Sequence, residues 1–143
     1  MTIQFANRQR LAPLNRKTLR ALCRRLLAEH GLDADLSLCY VDNAAIRDLN
    51  RRFLRRDEPT DVLSFPLHGG PGPAEAALLG EVVISVETAM AEARKRKIPI
   101  ETEIALYTVH GVLHLLGHDD GTPSQKRRMR LRERRALAEA GLV

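Results

Sequence analysis

The side chains of this sequence that could do chemistry are concentrated in one stretch, His110-Gly-Val-Leu-His-Leu-Leu-Gly-His-Asp-Asp120. Three of the chain's five histidines fall between positions 110 and 118. His110 and His114 lie four residues apart, so on a helix both imidazoles leave the same face, one turn above the other. That spacing offers two nitrogens to a single zinc ion. Gly117 can take a positive φ and fold the chain back after the helix, which lets His118, Asp119 or Asp120 bring a third ligand to the same point. Three protein ligands with one position left open describe a catalytic zinc site rather than a closed structural one. The bland alternative is a buried helix whose histidines simply pack. The segment Ile104–Leu116 is apolar on almost every side, and buried imidazoles need partners. Inside the helix only Glu103, one or two turns back, could serve. A metal would.

The elements that must position these groups follow from period and punctuation. A first strand is expected near Thr2–Ala6, then a helix capped by Asn15, carrying Leu19, Leu22, Cys23 and Leu26 inward and stopping at Gly31. Leu36–Val41 reads as a strand with little alternation, hence a central one. Asn43 caps a short helix through Phe53 with Ile46, Leu49 and Phe53 on its inner side. Arg55–Thr60 is a charged loop, and Val62–Phe65 is a short strand that Pro66 limits to an edge or a strand end. His68–Pro73 reads as a flexible connection within one domain, followed by a strand at Leu78–Ser85 and a helix at Glu87–Lys97. Pro99 opens the ligand helix, and Thr122-Pro123 starts a last helix to Ala140. The order β-α-β-α-β-β-α-α-α implies an α+β fold, a small mixed sheet of about four strands with the ligand helix as its buried central element.

A chain of 143 residues can bury a core as a single domain, 1–143. It has neither a run of 18 apolar residues nor a signal-peptide profile at its start, so a cytoplasmic protein is expected. Cys23 and Cys39 lack a Cys-x-x-Cys pairing and read as reduced packing residues. The net charge of +5 and pI near 9.8 point to a polyanionic partner. Basic residues gather at 16–25, 47–56, 94–97 and 126–135. Each run alone is a solvated face; four in one small chain favour phosphate contacts. The five aromatics, Phe5, Tyr40, Phe53, Phe65 and Tyr107, occupy positions a core would use, so base stacking is not the expected grip.

The 110–120 stretch also fits the outline His-Glu-x-x-His-x-x-Gly-x-x-His of zinc proteases, except that Gly111 stands where their catalytic glutamate belongs. Glycine inside a helix is unfavourable by about 1 kcal/mol against alanine, which suggests close packing or substrate approach. His-Gly-x-Leu-His-Leu-Leu-Gly, with Asn50-Arg-Arg-Phe-Leu-Arg-Arg-Asp57-x-Pro59-Thr-Asp-Val-Leu-Ser-Phe65 and Leu79-Gly-Glu-Val-Val-Ile-Ser85, resembles the YbeY family. These are bacterial metal-dependent single-strand endoribonucleases linked to ribosomal RNA maturation and ribosome quality control. The resemblance implies a YbeY-like metallohydrolase domain with one zinc ion per chain. It also implies single-stranded RNA as substrate, with small-subunit ribosomal RNA or the ribosome as partner, and neither a membrane nor a preference for DNA.

Two departures from the family pattern bear on the site. The family's third ligand is a histidine where this chain has Asp120, and His118 takes the place of a tyrosine. A carboxylate is an acceptable zinc ligand, so the expected set is His110, His114 and Asp120, with His118 as an alternate ligand or a supporting neighbour. The family's arginine beside the active site is replaced by Leu54, leaving Arg55 and Arg56 as the candidate catalytic residues. The metal would polarise a phosphate oxygen and acidify a water, and arginine would stabilise charge building on phosphorus. Candidate bases are that water's hydroxide, Asp119 and Glu81. Two other readings attach to the same residues. One is a metallohydrolase of another class, such as a peptide bond, against which Gly111 and the basic surface argue. The other is a ribosome-associated RNA-binding module whose metal is structural.

Overall fold

Along residues 2–67 and 78–143, which the computed structural model describes, short apolar runs form strands and longer periodic runs form helices. The expected connection at His68–Pro73 lies outside the described residues. The elements run β1 (Ile3–Asn7), α1 (Arg16–Glu29), β2 (Asp35–Val41), α2 (Asn43–Leu54), β3 (Val62–Pro66), β4 (Leu78–Ser85), α3 (Val86–Arg96), α4 (Ile100–Leu115) and α5 (Pro123–Glu139). The strands form one mixed sheet in the order β1-β2-β4-β3, with β3 antiparallel to β4 and the other pairs parallel. β2 is central, as its lack of alternation implied. β3 is an edge strand ending in Pro66, whose missing N–H suits an edge.

The two faces of the sheet are covered unequally. Leu36, Leu38, Tyr40, Val82 and Ile84 join the larger core, which also takes in α1, α3, α4 and α5. Cys39, Val41, Leu63 and Val83 look the other way, onto Ile46 of α2. This smaller core has five buried residues, enough to seat Ile46 and pack Leu49 but not the last turn of α2. Phe53, expected on the inner side, is therefore 62% exposed, and its ring meets Phe65 edge-on at 5.7 Å. Both cysteines are buried and unpaired; burial pushes the Cys39 thiol up and that of Cys23 up to about 12, which suits packing residues. Among the described residues no helix is long and apolar enough to cross a membrane.

Helix starts follow capping chemistry, with one correction. Asn15 Oδ1 accepts from Thr18 N–H, and Thr122 forms a reciprocal capping box with Gln125. The cap of α2 is Asp42, not Asn43: Asp42 Oδ1 accepts from Ala45 N–H at 2.9 Å. Asn43 is employed elsewhere, its Oδ1 accepting from Ser85 Oγ–H and Thr88 Oγ1–H at 2.6 and 2.8 Å.

Helix α4 is fastened to the sheet at two depths. Thr108 Oγ1–H donates to Ile104 O at 2.8 Å, so the buried Tyr40 hydroxyl donates to Thr108 Oγ1, also at 2.8 Å. One residue beyond His110, Gly111 lies against the sheet. A Cβ there would stand 2.4 Å from Val82 Cγ1 and 3.0 Å from Val62 Cγ2. Of the two reasons the sequence offered for this glycine, close packing is the one observed. Gly111→Ala gains about 1 kcal/mol of helix propensity but overpacks the interface at roughly 1–3 kcal/mol. A net loss of stability with an unchanged denaturant slope is expected by urea unfolding. A variant more stable than the parent would mean that the contact relaxes freely.

Candidate metal centre

Buried on nearly every side, α4 leaves its two histidines half-buried on one face near its C-terminus. Their rings approach edge-on with centroids 4.6 Å apart, and the two Nε2 atoms are separated by 3.1 Å. The helix closes through Gly117 N–H donating to His114 O and His118 N–H to Leu113 O, each at 3.0 Å. Gly117 then turns with φ +94°, as its position implied. The turn brings Asp120 Oδ2 to 3.5 Å from His110 Nε2 and 3.6 Å from His114 Nε2. Donors bound to one zinc at about 2.0–2.1 Å in tetrahedral array stand about 3.3 Å apart. The three measured separations bracket that value. His110, His114 and Asp120 thus form a group that could hold a metal ion.

The orientation of His110 is set from α5. A carboxylate only accepts, so His110 Nδ1–H donates to Glu133 Oε2 at 3.1 Å, leaving the Nε2 lone pair toward His114 and Asp120. A partner on the far nitrogen is what fixes tautomer and ring angle in metal-binding histidines. Burial alone pushes the His110 imidazole down. The hydrogen bond and charge of Glu133, with Asp120 and Asp61 beyond, more than offset it and hold the ring above the usual histidine range. The same negative field favours any cation at this point.

Sequence reading missed Glu133, which sits in the run Arg132-Glu-Arg-Arg135, and named Glu103 instead. Glu103 is buried but engaged with Arg96 of α3, and its other oxygen is unpartnered. A signal for Glu133 does exist. It lies at helical spacing among Met129, Ala136 and Leu137, the buried stripe of an otherwise basic helix.

His118 is drawn elsewhere. His30 Nδ1–H donates to Leu26 O at 2.7 Å, so its Nε2 is a bare acceptor and takes a hydrogen bond from His118 Nε2–H, again 2.7 Å. Burial, Arg132 and His30 together hold His118 below the usual range. The structure therefore brings together His110, His114 and Asp120 and leaves His118 facing α1.

Arg55 and Arg56 sit exposed at the end of α2. Arg55 takes a left-handed conformation (φ 56°), and Arg56 N–H donates to Asn50 O. Neither guanidinium is bonded to the histidine group among the described residues. Their loop, held by Arg47–Asp57 at 2.9 Å and Asn50 Nδ2–Glu58 O at 2.9 Å, feeds into β3. Ser64 of β3 donates to Gly111 O at 3.0 Å, so the strand that follows this loop is bonded to the ligand helix. Glu81 pairs with Phe65 in register and shares a sheet face with Val83, not with Val82 beneath Gly111. It faces away from α4, which removes it as a candidate base.

Comparison with known proteins gives a consistent result. Residues 4–141 match the family model of endoribonuclease YbeY. The chain is 41% identical over 140 residues to the endoribonuclease YbeY of Syntrophotalea carbinolica, covering 95% of this chain and 93% of that protein. It is 47% identical over 113 residues to that of Myxococcus xanthus, covering 76% of this chain and 37% of that longer protein. A solution structure from Thermotoga maritima superposes with a TM-score of 0.66 at 24% identity, over 97% of this chain and 89% of the other, and shows the same fold. A match spanning nearly every residue, on a helix that aims His110 and His114 at one point, places this chain in the YbeY family of endoribonucleases.

Proposed function

We propose that this protein is a zinc-dependent endoribonuclease that cleaves single-stranded RNA, acting in the cytoplasm in ribosomal RNA maturation and ribosome quality control. Its partner would be small-subunit ribosomal RNA or the ribosome, and residues 1–143 form one metallohydrolase domain. The observation that carries this reading is the convergence of two imidazole nitrogens and a carboxylate oxygen within 3.1–3.6 Å of one another in a family of endoribonucleases.

His110 Nε2, His114 Nε2 and Asp120 Oδ2 would hold one zinc ion per chain. When bound, the ion supplies Lewis acidity toward a phosphoryl oxygen. The chain's own groups do the rest. Glu133 holds the His110 ring at its working angle. Exposed arginines and lysines on α2 and α5 draw in the anionic strand. The guanidinium of Arg55 or Arg56 donates to a non-bridging oxygen as negative charge builds there. Asp119, exposed beside the ligand turn, would be the side-chain candidate to take a proton. A second reading, an RNA-binding module with a structural metal, is favoured by two observations: Leu54 replaces the family's arginine, and among the described residues no guanidinium contacts the cluster.

Metal content tests the first part. His110→Ala and His114→Ala should abolish stoichiometric zinc, whereas His118→Ala should retain most of it. Glu133→Gln should weaken zinc binding about 10–100-fold, the usual effect of losing such a partner. Full zinc retention by Asp120→Ala together with complete loss in His118→Ala would assign the third ligand to His118.

Turnover separates enzyme from module. Removing a donor that acts in the transition state lowers turnover about 10²–10³-fold with little change in binding, while a surface arginine hardly affects it. One of Arg55→Ala and Arg56→Ala should lose at least about tenfold in cleavage at saturating RNA, roughly 1.4 kcal/mol of barrier. If neither does and Leu54→Arg raises activity, the module reading gains. No metal-dependent cleavage at all, with His114→Ala as control, would end the enzyme reading.

Affinity should also fall steeply with salt, with a log–log slope of about −0.7 per phosphate neutralised on a single strand. A flat response in a binding titration would contradict phosphate contact.

A further inference from the structure

Tyr40 and Tyr107 are buried and Phe5 and Phe65 pack partly buried against the cores, whereas Phe53 faces solvent. It is 62% exposed, with its neighbour Leu54 at 52%. A single exposed apolar residue is ordinary, but this ring is not loose. Phe65 on edge strand β3 meets it edge-on at 5.7 Å and 68°, and Phe65 itself packs on the smaller core. The arrangement braces the Phe53 ring from one side and leaves a broad π-surface in solvent. Arginines bracket it in sequence, Arg51 and Arg52 before and Arg55 and Arg56 after, all exposed. Asp48 pairs with the first two, at 2.6 and 3.5 Å. Arg55 and Arg56 ion-pair with nothing among the described residues.

A rigid aromatic face beside two uncommitted cations complements a ligand that is flat, π-faced and carried on an anionic chain. We propose that Phe53, braced by Phe65, is a stacking platform for an unpaired base of single-stranded RNA, with Arg55 and Arg56 on the adjoining phosphates. This rests on the reading of the protein as an RNA endonuclease and deepens it. The platform supplies a physical reason for single-strand preference, since a base already stacked in a duplex cannot lie on the ring. It also places the strand at the β3 edge, beside the loop that carries the candidate catalytic arginines. The expectation that the aromatics are all core residues, and stacking therefore absent, is corrected at this one position.

The test uses zinc-loaded full-length protein and three probes: a short single-stranded 2′-O-methyl oligonucleotide, the same backbone without bases, and its duplex. Phe53→Ala and Phe53→Leu should each weaken the based single strand by at least about fivefold, the lower end of what losing one stacked base produces. Affinity for the abasic strand and the duplex should stay unchanged, and Phe53→Tyr should bind as the parent does. The chain has no tryptophan, so Phe53→Trp adds a single tryptophan whose selectively excited emission the based strand alone should quench. Because Phe53 is solvent-facing, all four variants should fold, with circular dichroism as the check. Parent-like binding by Phe53→Leu would overturn stacking, and an equal loss on the abasic strand would do the same. Normal RNA binding that ignores Phe53 removes the platform alone. A parent protein that binds none of the probes removes the nuclease reading itself.

Discussion

A helix that offers two imidazoles at its surface and buries almost everything else must be held at a fixed depth, because a small rotation or lift would carry both donors away from their target. Here the depth is set where Gly111 meets Val82 and Val62. With no Cβ on that residue, the backbone of α4 lies directly on β3 and β4, and Ser64 adds a hydrogen bond to Gly111 O. One residue earlier, about 100° round the helix, His110 emerges where α5 supplies Glu133. The glycine that disqualifies a protease-type glutamate is thus the residue that allows the ligand helix to reach its seat. A longer side chain would displace the helix before it could do chemistry.

The charges act on two length scales. The negative groups that favour a cation, Asp120 and Glu133, lie within 3.6 Å of the imidazole nitrogens and are partly shielded from water. The positive groups are exposed and spread along α2, α3 and α5. At physiological salt, with a screening length of about 8 Å, exposed charges act mainly on whatever lies directly over them. A net charge of +5 can therefore attract a polyanion without destroying the local preference of the histidine group for a cation. Phe53 adds a contribution that salt does not screen.

Most of the architecture was legible because it rests on local rules. Strand and helix order followed from apolar period, the central place of β2 from its buried run, the edge place of β3 from Pro66, and the turn after α4 from Gly117. What escaped depends on contacts between distant segments. Glu133 was hidden by its charged neighbours, since a carboxylate on a basic helix is normally solvated and only the tertiary meeting of α5 with α4 gives it a partner. Asn43 resembled a cap because its competitor, Asp42, is an equally good one. Phe53 had the right period for a core position, but α2 covers the smaller side of the sheet, and no sequence pattern says where that core runs out. Glu81 was plausible until register showed which way it points.

The His30–His118 contact explains why Asp120 rather than His118 joins the histidine pair. In a short turn, residues 118 and 120 compete to face the same point, and the sequence alone leaves both open. The competition is settled on α1. Leu26 O accepts from His30 Nδ1–H, which leaves the other nitrogen of a neutral His30 ring as an acceptor. A neutral His118 then donates through Nε2, at 2.7 Å, which turns its ring toward α1. With His118 held toward α1, the turn presents Asp120 to the face of α4. A carboxylate in that place adds negative charge beside Glu133, and both charges favour a cation at His110. The histidine at 118 and the aspartate at 120 are in this way coupled: the first is held toward α1, and the second stands beside the histidine pair of α4.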